Sequence, residues 1–231
     1  MFIVNGKEIK INTSKKPFQQ GSEGKCYKID DKIYKIYYPN MLYEYGTSKE
    51  KHHKELSFIK TKQIILPIDF IYNEKDEYIG YVTEFIEADQ KKKNGILKLS
   101  TKNLIENIQA LEKDFETLSE NSIMCADVSP VNYLLGDKMY IIDPGRYKSH
   151  VYHKDTCHSQ NRKQLEYLIS LLIYNDLITY KPINSKAKLQ KIKDKLLEIK
   201  DKRSFSRFLI EEASNYENLL EYSKSLQKYI R

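Results

Sequence analysis

The residues best placed to do chemistry lie in ADVSPVNYLLGDKMYIIDPG, from Ala126 to Gly145. Tyr133-Leu134-Leu135 and Met139-Tyr140-Ile141-Ile142 read as two short strands, with Gly136-Asp137-Lys138 as the turn between them. A hairpin of that size brings Asn132, just ahead of its first strand, and Asp143, just after its second, to the same end. Two oxygen-bearing side chains there suit a hard cation such as Mg²⁺, which takes oxygen ligands and shares them with substrate phosphates. Asp127, five residues before Asn132, sits on the approaching loop, where a carboxylate can accept the proton of an attacking hydroxyl. Such a set is suited to moving a phosphoryl group. The competing reading is that the three side chains only cap turns, as Asp and Asn do in many loops.

The elements that would position this set lie upstream. In PFQQGSEGKCYKIDDKIYKIYYP, Gly21 and Gly24 bracket Ser22 and Glu23, and a hairpin follows: Cys26 to Ile29, the turn Asp30-Asp31, then Lys32 to Tyr37. Lys35 lies inside the later strand. A plain turn at the glycines and an exposed strand lysine are the alternatives. The segment Ser48 to Ile59 reads as a helix with Leu56 and Ile59 apolar and Glu55 beside them. Then LPIDFIYNEKDEYIGYVTEFIEA gives two β-rich runs around the polar turn Asn73-Glu74-Lys75-Asp76.

In this order and at these spacings, the motifs from Gln19 to about Leu172 resemble the protein-kinase superfamily, in the form of a minimal bacterial kinase of the eukaryotic-like or effector type. The resemblance implies an α+β fold of two lobes: a β-rich N-lobe with one main helix over residues 1–90, and a mostly helical C-lobe over residues 91–231. It implies that ATP and Mg²⁺ are used. Gly21 and Gly24 take the second and third glycine positions of G-x-G-x-x-G-x-V, and with Ser22 and Glu23 they would cover the phosphates, while Cys26, in the valine's place, would roof the base. Glycine there lets the backbone come close to a phosphate, at angles a Cβ would forbid. Lys35 would grip the α- and β-phosphates and pair with Glu55, with Glu50 in reserve. Thr83 falls at the gatekeeper position, and Glu84 to Ile86 would offer backbone groups to adenine. Asp127 would be the catalytic base, and Asn132 and Asp143 the metal ligands.

The departures from the family pattern are specific. Gln19 replaces the first glycine and Cys26 the valine, Cys125-Ala126 stands for His-Arg, Ser129 for the lysine that steadies the γ-phosphate, and Pro144 for the phenylalanine of D-F-G. Only a short segment separates Gly145 from the next helical pattern near Asn161, and no A-P-E follows. Apparatus for regulation by a phosphorylated loop is thus missing, while Lys35, Asp127, Asn132 and Asp143 remain. The pattern favours a constitutively competent phosphotransferase acting on a hydroxyl, with a protein Ser/Thr acceptor preferred because no pocket-building insertion is visible. A small-molecule kinase and a catalytically silent kinase-like scaffold are the alternatives.

Composition is compatible with these readings. The chain has 231 residues, 40 % hydrophobic and 31 % charged, enough for a sizeable core. No apolar run approaches the roughly 18 residues of a membrane helix. Met1 to Ile11 reads as a hairpin turning at Asn5-Gly6, not as a signal peptide. Cys26, Cys125 and Cys157 are odd in number and scattered, which suits a reducing compartment: the cytoplasm, or a host cytosol for a secreted effector. The polar stretch Glu87 to Gly95 reads as a connector. Leu104 to Leu118 repeats with helical spacing, Gln164 to about Leu177 is apolar on most sides, and helices over Ser185–Lys200 and Phe205–Tyr229 follow. The net charge of +7 gathers late in the chain, at Lys186 to Arg207, where a solvated helix face is preferred to a nucleic-acid surface. His150, His153, Cys157 and His158 offer metal-type ligands without a standard spacing, on a stretch expected to face a substrate, and His52 and His53 read as surface residues of their helix.

Overall fold

In the computed structural model, residues 2–44, 47–88, 95–179 and 205–227 are described, together with Ala187, Gln190, Lys191 and Asp194. The fold is mixed α+β, with a large antiparallel sheet and several helices. The opening hairpin forms as the sequence demands: Asn5 and Gly6, the two turn residues, both have positive φ (53° and 70°), joining β1 (Phe2–Val4) to β2 (Lys7–Ile9). β3 (Gln19–Gln20), β4 (Gly24–Ile29) and β5 (Lys32–Tyr37) follow, and then two short paired strands, β6 (Tyr43–Glu44) and β7 (Thr47–Ser48). β1 to β5 build a seven-stranded sheet with β8 (Asp69–Tyr72) and β9 (Tyr78–Glu84), in the order β2-β1-β8-β9-β5-β4-β3, and β6 and β7 stand apart from it. Gly24 is required by that sheet: a Cβ there would lie 2.2 Å from the Ile36 carbonyl oxygen, so only glycine lets β4 and β5 pair at this point. Gly21 has open space around it and no positive φ.

Helix α1 (Lys49–Ser57) starts at Ser48, whose hydroxyl accepts the Glu50 N–H. It buries Lys49, His53 and Leu56, the i, i+4, i+7 positions of one face. His53 is 1 % exposed, which corrects the surface reading of the two histidines. It stacks parallel to Tyr37 and hydrogen-bonds Tyr37 and Tyr78, so it ties α1 to the sheet. His52 bonds the Ser149 hydroxyl at 2.7 Å.

The remaining helices enclose the main apolar core. They are α2 (Gly95–Lys98), α3 (Thr101–Glu120) and α4 (Lys154–Thr179), with helical stretches at Phe205–Phe208 and Leu219–Gln227. Ser100 caps α3, and Leu104, Ile108, Leu111, Phe115 and Leu118 form its buried stripe. Between α3 and α4 lie β10 (Ile123–Met124), β11 (Tyr133–Leu135), β12 (Met139–Ile141) and β13 (Lys148–Ser149), paired β10 with β13 and β11 with β12. Buried Asp114 of α3 accepts the backbone N–H groups of Lys62, Gln63 and Ile64. That segment in turn pairs with β12, through Ile141 N–H to the Gln63 carbonyl and Ile65 N–H to the Ile141 carbonyl, both at 2.8 Å. The segment that leads into β8 and the β11–β12 hairpin are thereby fixed to the same helix.

Two helix limits differ from expectation. α4 begins ten residues before Gln164, because polar Asn161 and Cys157 face the core one turn apart and hide the apolar period. The last helix is not continuous: α-helix gives way to π-helix at Leu209–Ala213 and then to a turn before Leu219. The helix expected over Ser185–Lys200 and most of its basic residues, and the connector between Ala88 and Gly95, lie outside the described residues. No described helix is long and apolar enough to cross a membrane.

Candidate active site

The β11–β12 hairpin pairs Tyr133 with Ile141, and the Ile142 N–H donates to the Asn132 carbonyl at 2.8 Å. This register sets Asn132 and Asp143 at one end of the hairpin. Above them lies the underside of the sheet, with Lys35 on β5 and the loop from Gly21 to Gly24. Between these two walls is a cavity of about 700 Å³, within the size range of small-molecule sites. Lys35, Asp127, Asn132 and Asp143 all line it. So do Gly21, Ser22, Glu23, Gly24 and Cys26 on the loop side. Thr83, Glu84 and Ile86 line it at the end of β9, beside Phe18 and Phe85, whose rings meet edge to face at 5.8 Å. Every residue expected at the site is therefore in one cavity, except Glu55.

Glu55 does not hold Lys35, and neither does Glu50. Two residues along a helix is a rotation of about 200°, so Glu55 turns away from the face that His53 buries. Its Oε2 is buried with no hydrogen-bond partner. Glu50 pairs with Lys54 at 2.7 Å and accepts the Tyr72 hydroxyl at 2.8 Å. The carboxylate that Lys35 meets comes instead from the glycine loop. Lys35 Nζ donates to Glu23 Oε2 at 3.1 Å and, very closely, to Asp143 Oδ1. Lys49, at the start of α1, donates to Glu23 Oε1 at 3.2 Å and to the Gly145 carbonyl at 3.1 Å. Arg146 Nε adds a third contact to Glu23, at 2.9 Å on Oε1.

Glu23 thus gathers three cations. Burial by itself would raise its pKa, but Lys35, Arg146 and Lys49 outweigh that and hold it at about 2. Burial likewise pulls the Lys35 pKa down, and Asp143 and Glu23 more than reverse it, so the ammonium stays charged. Gly145 makes the cluster possible: a Cβ there would lie 2.7 Å from the Tyr37 hydroxyl and 3.0 Å from Glu23 Oε2. Buried Tyr81 donates its hydroxyl to Asp143 Oδ1 at 2.9 Å. Cys26 faces the same space, and burial pushes its thiol up to about 11, so it is no nucleophile at neutral pH.

The floor is organised differently. Asp127 and Asp143 both have positive φ, 59° and 63°, a region that Asp tolerates better than most residues and that concentrates at functional sites. Asp127 is exposed at the cavity mouth, while Asp143 is half-buried and tied inward. Asn132 donates one amide N–H to the Asp127 carbonyl at 2.9 Å, which orients the side chain and leaves its amide oxygen to offer a cation. An amide oxygen and a carboxylate lining one cavity fit a hard cation. The entry to this loop is held by buried Asn161 of α4, which accepts the Cys125 N–H at 2.7 Å and donates to Ser119 Oγ and the Ile123 carbonyl.

Four residues here escaped the sequence reading: Lys49, Arg146, Tyr81 and Asn161. Arg146 alone left a signal, a cation directly after Asp143-Pro144-Gly145. The histidine group is dispersed: His158 contacts Glu120, His153 lies 3.3 Å from Asp155, and Cys157 is buried on α4 rather than on a substrate-facing segment. Among the described residues no three His, Cys, Asp or Glu side chains come together to hold a metal ion. Comparison with protein-family models and with curated protein sequences finds no match for this chain.

Proposed function

We propose that this chain is an ATP- and Mg²⁺-dependent phosphotransferase with a two-lobed, protein-kinase-like arrangement, the lobes meeting at the cavity. One observation carries the reading: Lys35 and the sequence-distant group Asp127, Asn132 and Asp143 line a single cavity beneath a glycine-bracketed loop. Phe18, Phe85 and the end of β9 supply apolar walls and backbone groups for a base, and Lys35 supplies charge for the α- and β-phosphates. Mg²⁺ held by Asn132 and Asp143 would neutralise phosphate charge. The acceptor hydroxyl oxygen attacks the γ-phosphorus, the bond to the β,γ-bridging oxygen breaks with its electron pair leaving on ADP, and the proton passes to Asp127. Asp127 stands at the open end of the cavity and Asp143 inside, which is the polarity this chemistry needs. A protein acceptor is favoured by Val131, which lines the mouth and is 73 % exposed, an apolar contact for a peptide.

One observation favours the scaffold reading: Lys35 is already neutralised by both Glu23 and Asp143. The two readings part in one experiment. The protein is incubated with Mg²⁺ and ATP labelled at the γ-phosphate, alone and with cell lysate, and labelled products are mapped by mass spectrometry. Transfer that Asp143→Asn abolishes supports the enzyme. A protein that binds Mg²⁺-nucleotide and transfers nothing is the scaffold.

A further inference from the structure

Arg146 bridges one residue of each wall, Glu23 and Asp127, from just outside the residues that line the cavity. Its Nε donates to Glu23 Oε1 at 2.9 Å and stands 3.9 Å from Asp127 Oδ2. Glu23 rides the loop above the cavity and Asp127 stands below at the mouth. Of the three cations on Glu23, Lys35 and Lys49 are sealed inside, with side chains 7 % and 6 % exposed, whereas the Arg146 side chain is 48 % exposed. The deep pair is tied onward to Asp143 and to the Gly145 carbonyl, away from the mouth. Among the ion pairs of the described residues, Arg146 is the cation that Asp127 meets. Ser129, two residues along the same loop, offers only a neutral hydroxyl, buried and without a partner.

We infer that Arg146 is a further catalytic residue, the cation this chain presents to the phosphoryl group in flight. The inference rests on the phosphotransferase reading and adds to it the group that meets the γ-phosphoryl oxygens. As the new P–O bond forms and the bond to the bridging oxygen breaks, charge spreads over the three outer oxygens, midway between Glu23 and Asp127. A guanidinium already at that place gives up one carboxylate oxygen of Glu23 for phosphoryl oxygens of the same geometry, and neither gains nor loses a proton. Fixed charge aimed at where charge develops is the largest source of stabilisation in such steps.

The test uses nucleotide binding, which needs no acceptor. Wild type, Arg146→Met and Arg146→Lys are titrated by calorimetry with Mg²⁺-ADP, and with Mg²⁺-ADP plus aluminium fluoride, which imitates the planar phosphoryl group. Wild type gains affinity when fluoride is present. Arg146→Met keeps its ADP affinity and loses about tenfold or more for the fluoride complex, about 1.4 kcal/mol. Arg146→Lys recovers part of that loss, since a point charge replaces a fork. Equal losses for both ligands make Arg146 a strut of the loop and overturn the inference, as does no loss for either. A wild-type protein that binds ADP but gains nothing from fluoride overturns the inference alone. One that binds neither removes the phosphotransferase reading as well.

Discussion

The two walls of the cavity are held by different physics. The roof is held by ions: Glu23 on the loop is gripped by Lys35, Lys49 and Arg146. The floor is held by neutral amides: Asn161 secures Cys125, Ser119 and Ile123, and Gln63 bonds both Asn107 and the Met139 carbonyl. An ionic contact can be exchanged for another anion of similar geometry, whereas a buried amide matched to fixed backbone and side-chain groups has little to exchange with. On the proposed phosphotransferase reading, the roof would be the wall that an incoming triphosphate resets, and the floor the fixed reference against which the acceptor side is aligned. For the proposed transfer, a fixed floor and an adjustable roof would combine tolerance in binding with precision in attack.

The largest effect that would sharpen this contrast belongs to Asp127. Asp127→Ala should lower phosphate transfer by roughly 10²–10⁴-fold while Mg²⁺-nucleotide affinity is kept, as measured with labelled ATP and by calorimetry. If nucleotide affinity collapses as well, Asp127 belongs to the roof through Arg146, and the division of the walls fails. Next comes Asn161→Leu, which strands the Cys125 N–H and the Ile123 carbonyl in a buried setting. It should cost about 3 kcal/mol of stability in chemical denaturation, and saturating nucleotide should not restore the difference from wild type. Recovery on adding nucleotide would show that the floor is adjustable too.

Glu23→Gln tests the roof. With the carboxylate gone, Lys35 keeps Asp143 but Lys49 keeps only a carbonyl, so the nucleotide-free protein should lose about 2 kcal/mol. Here Mg²⁺-ADP should raise the melting temperature more than in wild type, because phosphates replace the missing anion. A smaller rise would mean that Glu23 prepares the site rather than holding its place.

The smallest effect concerns α1, the helix that brings Lys49 to the roof. Burial first, and then Lys49 and Lys35, hold the His53 pKa at about 3, far below the ordinary 6.5. Below pH 6.5 the unfolded chain takes up a proton that the folded chain refuses, so stability is full above that pH and falls as pH drops toward about 3. Between pH 6.5 and 5 the loss should approach about 2 kcal/mol. His53→Phe should flatten this limb in pH-dependent unfolding, and an unchanged slope would exclude His53 as its source.

Much of this protein is legible one segment at a time. Asn5-Gly6 specifies a two-residue turn because both positions take positive φ, and the alternation around Asp30-Asp31 and Asn73–Asp76 gives the hairpins on which Lys35 and Thr83 lie. The period of Leu104 to Leu118 gives α3, and the spacing of Asp127, Asn132 and Asp143 around a short hairpin brings them to one end. All these are local: the interaction that decides each lies within a few residues, or within one helix or hairpin. What only the tertiary structure decided is which charges meet. Lys35 could have met any nearby carboxylate, and the rotation of α1 gave Glu55 away and put Lys49 and His53 inward, so that Glu23 became the partner. That rotation is set by Tyr37, Tyr78 and Tyr81 receiving a polar ring rather than by an apolar stripe, so no hydrophobic period announced it. Asn161 was hidden for the same reason, since a buried amide is fixed by backbone groups from distant segments.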